Sequence, residues 1–138
     1  MRLRMALAKS KNMVSIRILD AIGVKYAQDY VTRFGFDADR HPPYLTMALG
    51  SGTTTAWQMA RAYAVFANGG FLVQPYFIHR IVDDRGNPLG VARPQRAGDE
   101  SLRVIDERNA FIMDSLMQDV TRVGTGARAA SLGRKDIA

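Results

Sequence analysis

The stretch TAWQMARAYAVFANGG, residues 55–70, decides the fold class. Its only strongly polar interior residues are Gln58 and Arg61, so it predicts a helix that is apolar almost all round and stops at Gly69-Gly70. Such a helix needs packing partners on most of its sides. Downstream, YFIHRIV at 76–82 is rich in aromatic and β-branched residues and predicts a strand. DDRGNP then supplies a turn into a short return strand near Leu89 to Ala92, making a β-hairpin. Residues 93–103 are polar and aperiodic, as expected of a surface loop. Asp106 is placed to cap a helix running to about Arg122, with Ile112, Met113, Leu116, Met117 and Val120 on its inner face. The GTG at 124–126 breaks that helix, with glycines expected at positive φ, and a short helix is expected over 127–132.

Upstream of the deciding stretch, Pro42 and Pro43 lack amide donors and hold 37–45 as a loop. Two helices precede that loop. The first, 13–22, places Val14, Ile18, Ala21 and Ile22 on one face and Arg17 and Asp20 on the other. The second, roughly 24–34, is expected to bury Ala27, Tyr30, Val31 and Phe34. Gly23 and Gly35 end them, so together they form a helical hairpin. The elements are mainly helical with one small β-hairpin. They offer too little surface to cover 55–67, which points to an excerpt of a larger domain.

Composition narrows the function classes. A chain of 138 residues is one domain by size, and 47% hydrophobic with 23% charged is ordinary for a soluble globular protein. The absence of cysteine removes disulfides, thiol catalysis and thiolate metal sites. His41 and His79 are far apart in sequence, without carboxylates at ligand spacing, so no histidine metal site is expected. No stretch approaches the roughly 20 apolar residues of a membrane span, and no apolar core follows Arg2 and Arg4 as in a signal peptide. The net charge of +6 admits a basic helical module that binds polyanions as an alternative function. Its arginines are scattered from Arg2 to Arg134 without a basic run, which favours a solvated surface over a nucleic-acid stripe.

Few residues remain as candidates for chemistry. GSGTTT at 50–55 lacks the G-K-[ST] ending and the preceding strand of a phosphate loop, and is better explained by helix capping. GTGARA at 124–129 carries no dinucleotide fingerprint. Trp57, Tyr63 and Phe66 have helical spacing and are expected in the core. His79 is expected packed or partly exposed on its strand, and Asp83-Asp84 belongs to a turn. Ser10-Lys11-Asn12 stands before a strongly periodic helix and has two explanations. Serine and asparagine are preferred helix caps. Alternatively, a hydroxyl and an amide held at a rigid helix entrance face a substrate cleft.

Taken in order, ALAKSKNMVSIRILDAIG, PPYLTMALGSGTTTAWQMARAYAVFANGGFLVQPYFIHRIVDDRGNPL and ERNAFIMDSLMQDVTRVGTGARAASLGRKDIA resemble the penicillin-binding transpeptidase domain of class A penicillin-binding proteins, the bifunctional peptidoglycan synthases. The resemblance covers essentially all of 1–138. It implies an α/β fold of the serine β-lactamase and D,D-transpeptidase type, seen here through a mainly helical window with a small β-hairpin. The family uses three motifs, S-x-x-K, S-x-N and K-T-G. Only the middle one is present, as Ser10-Lys11-Asn12. No serine is followed three positions later by lysine, and no K-T-G occurs, so residues 1–138 are expected to be a partial domain without the acylated nucleophile. K-T-G is expected just beyond LGRKDIA.

By the resemblance, Ser10 relays a proton toward the leaving amine and Asn12 hydrogen-bonds the donor peptide or a β-lactam side chain, while Lys11 fills the variable position. The implied partners are peptidoglycan stem peptides and, in a longer parent, β-lactams. No cofactor, metal or nucleic acid is implied. The parent is expected on the periplasmic side of the bacterial inner membrane, with any membrane contact made through other parts of it.

Overall fold

The computed structural model describes residues 1–134 and 137. Of the LGRKDIA stretch, positions 135, 136 and 138 lie outside the described residues.

Among the described residues, five α-helices and one β-hairpin carry the architecture: α1 Leu3–Ala8, α2 Asn12–Ile22, α3 Val24–Val31, α4 Ala56–Ala67, β1 Arg80–Val82, β2 Pro88–Val91 and α5 Glu107–Arg122. Helix α4 starts where the Thr55 hydroxyl accepts the Gln58 amide at 3.1 Å and the Gln58 side-chain oxygen accepts the Thr55 amide at 3.2 Å. These reciprocal bonds satisfy two donors that a helix start otherwise leaves open. Only Ala62 and Val65 of α4 are buried, whereas Tyr63 is 56% exposed and leaves the core to which its spacing assigned it. Trp57 is half-buried and stacks on Phe77 with ring centroids 4.2 Å apart, and Phe66 packs against the core.

That core joins Val65 to Val104, Ile105 and Ala110, with Tyr30, Phe34, Phe66 and Leu72 around it. Gly70 packs against its Val104-Ile105 segment. Its φ of +107° and the Ile105 carbonyl standing where a Cβ would be leave room for glycine alone, and its own carbonyl accepts the Val104 amide at 2.8 Å. Beside this patch the Arg103 guanidinium lies over the Phe71 ring at 4.2 Å and holds both oxygens of Glu100, at 2.6 and 2.8 Å. Hydrogen bonding from Arg103 keeps the Glu100 carboxyl below the usual range. A depressed carboxyl stabilises the fold above its unfolded pKa, and that contribution disappears as pH falls through the folded value. Acid titration followed by circular dichroism is therefore expected to show a small loss of stability below the ordinary carboxylate range, and Glu100→Gln to remove that part of the pH dependence. An unaltered acid profile in Glu100→Gln would count against the linkage.

Helix α5 begins as expected, because the Asp106 carboxylate accepts the Arg108 amide at 2.9 Å. Asp106→Ala is expected to cost about 1 kcal/mol in urea unfolding. Of its expected inner face, Met113, Leu116, Met117 and Val120 are half-buried, Ile112 departs at 52% exposed, and the one fully buried residue is Ala110. The small Ala110 faces the core beside Val65, and the helix turns Ile112 outward to the rim of that contact.

Helix α1 has no counterpart among the expected elements. Its buried residues are Ala6 and Ala8, too small to give a strong apolar period. Polar contacts fix it to α5 instead: Arg4 donates to the Ser115 carbonyl at 2.8 Å and to the Asp119 carboxylate at 2.8 Å, and Lys9 donates to the Val123 carbonyl. The Thr125 amide donates to the Ala8 carbonyl at 3.0 Å. This closeness explains Gly124, where an added Cβ would strike the Ala8 carbonyl and lie 2.7 Å from the Val120 Cα. The expectation of positive φ at 124–126 is corrected, since neither Gly124 nor Gly126 adopts it and Gly126 has φ −89°. The requirement is for close approach rather than handedness. A 3₁₀ turn over Ala127–Leu132 follows.

In α2 the buried side chain is Leu19; of the expected face Val14 is half-buried, while Ile18, Ala21 and Ile22 are exposed. The helix packs along the 3₁₀ turn Leu45–Leu49, which selects a different stripe from the one that the largest run of apolar residues suggests. Helix α3 follows directly through Gly23 and buries Ala27 with Gln28, whose amide donates to the Ala38 and His41 carbonyls at 3.0 and 2.9 Å. This satisfied buried amide ties the proline loop to the helix.

The β-hairpin is antiparallel, pairing Arg80 with Val91 and Ile81 with Gly90, with a bulge between Ile81 and Val82. The strand starts at Arg80 rather than 76, because the preceding residues find no partner in the register beyond the Ala92 amide on the His79 carbonyl. Its turn is built by Asp83, which accepts the Arg85 and Asn87 amides at 2.9 and 2.7 Å. Both strands are exposed along their length.

Candidate active-site turn

Ser10, Lys11 and Asn12 form the link between α1 and α2. Lys9 ends α1, Lys11 precedes α2 and Asn12 is its first residue. The Ser10 amide donates to the Leu7 carbonyl at 2.9 Å, and the Lys11 amide donates to the Ala6 carbonyl at 2.9 Å. These two bonds make a Schellman motif, which requires a left-handed residue after the helix end and normally uses glycine. Here Ser10 takes that place with φ 49°, the one non-glycine residue at positive φ among those described.

Neither polar side chain caps a helix. The start of α2 has no side-chain cap, so the capping account of Ser10 and Asn12 is corrected. Both side chains are exposed, and neither makes a hydrogen bond to another described residue. A serine in this conformation costs on the order of 1 kcal/mol relative to glycine, and no local hydrogen bond offsets it. Structure alone would favour glycine at position 10. A hydroxyl and a carboxamide left free on a rigid two-helix corner can instead donate to and accept from an external ligand.

The corner is anchored by the contacts of α1 and Lys9 with the end of α5 already described. Sequence reasoning found the two polar residues and missed this support, because α1 lacks large apolar side chains. The remaining candidates are not gathered here. His79 is exposed on the hairpin. His41 lies against Phe36 edge-on at 5.3 Å, with its Nε2 buried and without a hydrogen bond. Basic groups are dispersed, several being paired locally, as Lys25 is with Asp29 at 3.0 Å and Arg40 with Asp37 at 3.5 Å.

A helical window with a small antiparallel hairpin, carrying S-x-N at a helix entrance, defines a class: the chain belongs to the penicillin-binding protein transpeptidase domain family, whose model matches residues 1–137. It is 54% identical over 136 residues to penicillin-binding protein 1A of Neisseria lactamica, covering 99% of this chain and 17% of that protein. It is 38% identical to penicillin-binding protein 1A of Pseudomonas aeruginosa, covering 99% of this chain and 22% of that one. The crystal structure of penicillin-binding protein 1A from Haemophilus influenzae superposes with a TM-score of 0.90 at 34% identity, over 99% of this chain and 25% of the other. A D,D-transpeptidase domain of a peptidoglycan glycosyltransferase from Eggerthella lenta shares the fold, with a TM-score of 0.73 at 17% identity over 92% of this chain and 38% of the other. The chain thus spans about a fifth of the length of the curated relatives it matches. Among the described residues, no helix is long and apolar enough to cross a membrane.

Proposed function

We propose that this chain is the middle part of a serine D,D-transpeptidase site that cross-links peptidoglycan stem peptides and is acylated by β-lactams. The observation that supports it most is Ser10, held left-handed at a glycine-type position with its hydroxyl free, beside a free Asn12 carboxamide. In the proposed reaction a serine outside these residues attacks the D-alanyl-D-alanine carbonyl, and the terminal D-alanine leaves as the acyl-enzyme forms. Ser10 Oγ passes a proton toward that leaving amine. The Asn12 carboxamide hydrogen-bonds the peptide backbone of the donor, or the side-chain amide of a β-lactam. An amine of a neighbouring strand then attacks the acyl-enzyme, forming the cross-link and releasing the serine.

The site is proposed to work in a full-length protein on the periplasmic side of the bacterial inner membrane. Residues 1–138 alone contain neither S-x-x-K nor K-T-G, and are proposed to be inactive. Gel labelling with a fluorescent penicillin tests this. The 138-residue chain is expected to remain unlabelled while the full-length polypeptide from the same reading frame becomes covalently labelled. Stable labelling of the short chain, or none of the full-length protein, would overturn the proposal.

A further inference from the structure

A second polar feature lies away from the S-x-N corner. Between the end of α3, helix α4 and the 95–104 segment is an open cleft of about 480 Å³, lined by Arg33, Arg61 and Arg103 together with Gln74 and Gln95. No carboxylate lines it among the described residues. Arg103 is neutralised by its two bonds to Glu100. The other two arginines are not. Arg33 lies over the Tyr30 ring at 5.2 Å and has no carboxylate partner among the described residues. Arg61 is half-buried beside Gly35, and its Nε is buried without a hydrogen bond.

Two permanently charged guanidinium groups therefore line one cleft with no compensating carboxylate among the described residues. A buried guanidinium N–H left unpaired is costly, and a native protein normally supplies it with a partner. Gln95 Oε1 is occupied by the Gln74 amide at 2.8 Å. The Gln74 carboxamide and the Gln95 NH₂ group have no hydrogen-bond partner among the described residues. The glutamines can donate to a ligand as well as accept from one, so the charge of the lining decides, and it favours an anion. Two unmatched positive charges select a dianion over a single carboxylate, and arginine forks match tetrahedral phosphate oxygens in pairs.

We propose that this cleft binds a phosphate group. The site is independent of the transpeptidase proposal, since none of its residues belongs to the S-x-N corner.

Calorimetric titration of the full-length protein with inorganic phosphate, at constant ionic strength maintained with chloride, is the test. Saturable binding is expected, and Arg33→Gln and Arg61→Gln should each weaken it by about tenfold or more. Arg33 is exposed, so its replacement leaves folding intact and keeps the test decisive if Arg61→Gln unfolds. Binding that Arg33→Gln leaves unchanged would overturn the proposal. So would malonate binding as tightly as phosphate, or no phosphate heat beyond that of chloride, which would leave Arg61 to a bridging water.

Discussion

Gly124→Ala is expected to destabilise the fold by about 3 kcal/mol, the range of a forced overpacking in a closed contact. The new Cβ would meet backbone on both sides, the Ala8 carbonyl and the Val120 Cα at 2.7 Å, so no flexible side chain can yield. Relief requires moving α1 away from α5, which breaks the Thr125 amide bond to the Ala8 carbonyl at 3.0 Å. The corner bearing Ser10 begins two residues later and would move with it. Gly69→Ala supplies the contrast: its φ of +81° carries backbone strain, yet an added Cβ meets nothing within 4 Å. That variant is expected to lose only about 1 kcal/mol. Urea unfolding of the two variants decides the matter. Equal losses would show that α1 does not depend on this close approach.

The second large effect concerns Ser10 itself. In Ser10→Gly the left-handed position becomes unstrained, so stability is expected to hold or rise by up to about 1 kcal/mol. The same change removes the hydroxyl, and acylation of the full-length protein is expected to fall roughly a hundredfold, typical of a lost proton-transfer group. Ser10→Ala should lose acylation similarly while retaining the strain. Asn12→Ala is expected to slow acylation without lowering stability, because its side chain makes no hydrogen bond within the described chain. Opposite movements of stability and activity at one position separate a site residue from a helix cap, whose removal would lower both.

Legibility followed the size of the signal. The α5 start at Asp106, the stop at Gly35 and the Asp83 turn were all readable, since each depends on bonds within a few residues. The buried stripe of α2 was not, because Leu19 is chosen by the distant Leu45–Leu49 turn and not by the helix's own periodicity. Helix α1 escaped notice because alanines and long-range polar bonds hold it. Gly124 was recognised as special for the wrong physical cause, since its constraint comes from Ala8, distant in sequence. For the candidate site, the tripeptide alone admitted a cap as readily as a catalytic motif. The left-handed serine and the uncapped start of α2 remove the capping account, and neither is visible without the three-dimensional structure.

The central claim is that Ser10 is kept in a strained place for chemistry. Measuring both the melting temperature and the fluorescent-penicillin acylation rate of Ser10→Gly, on one preparation of the full-length protein, tests it most directly. The account predicts an unchanged or higher melting temperature with acylation slowed about a hundredfold. A variant acylated at the parent's rate, or one that melts earlier and loses activity only in proportion, would contradict it.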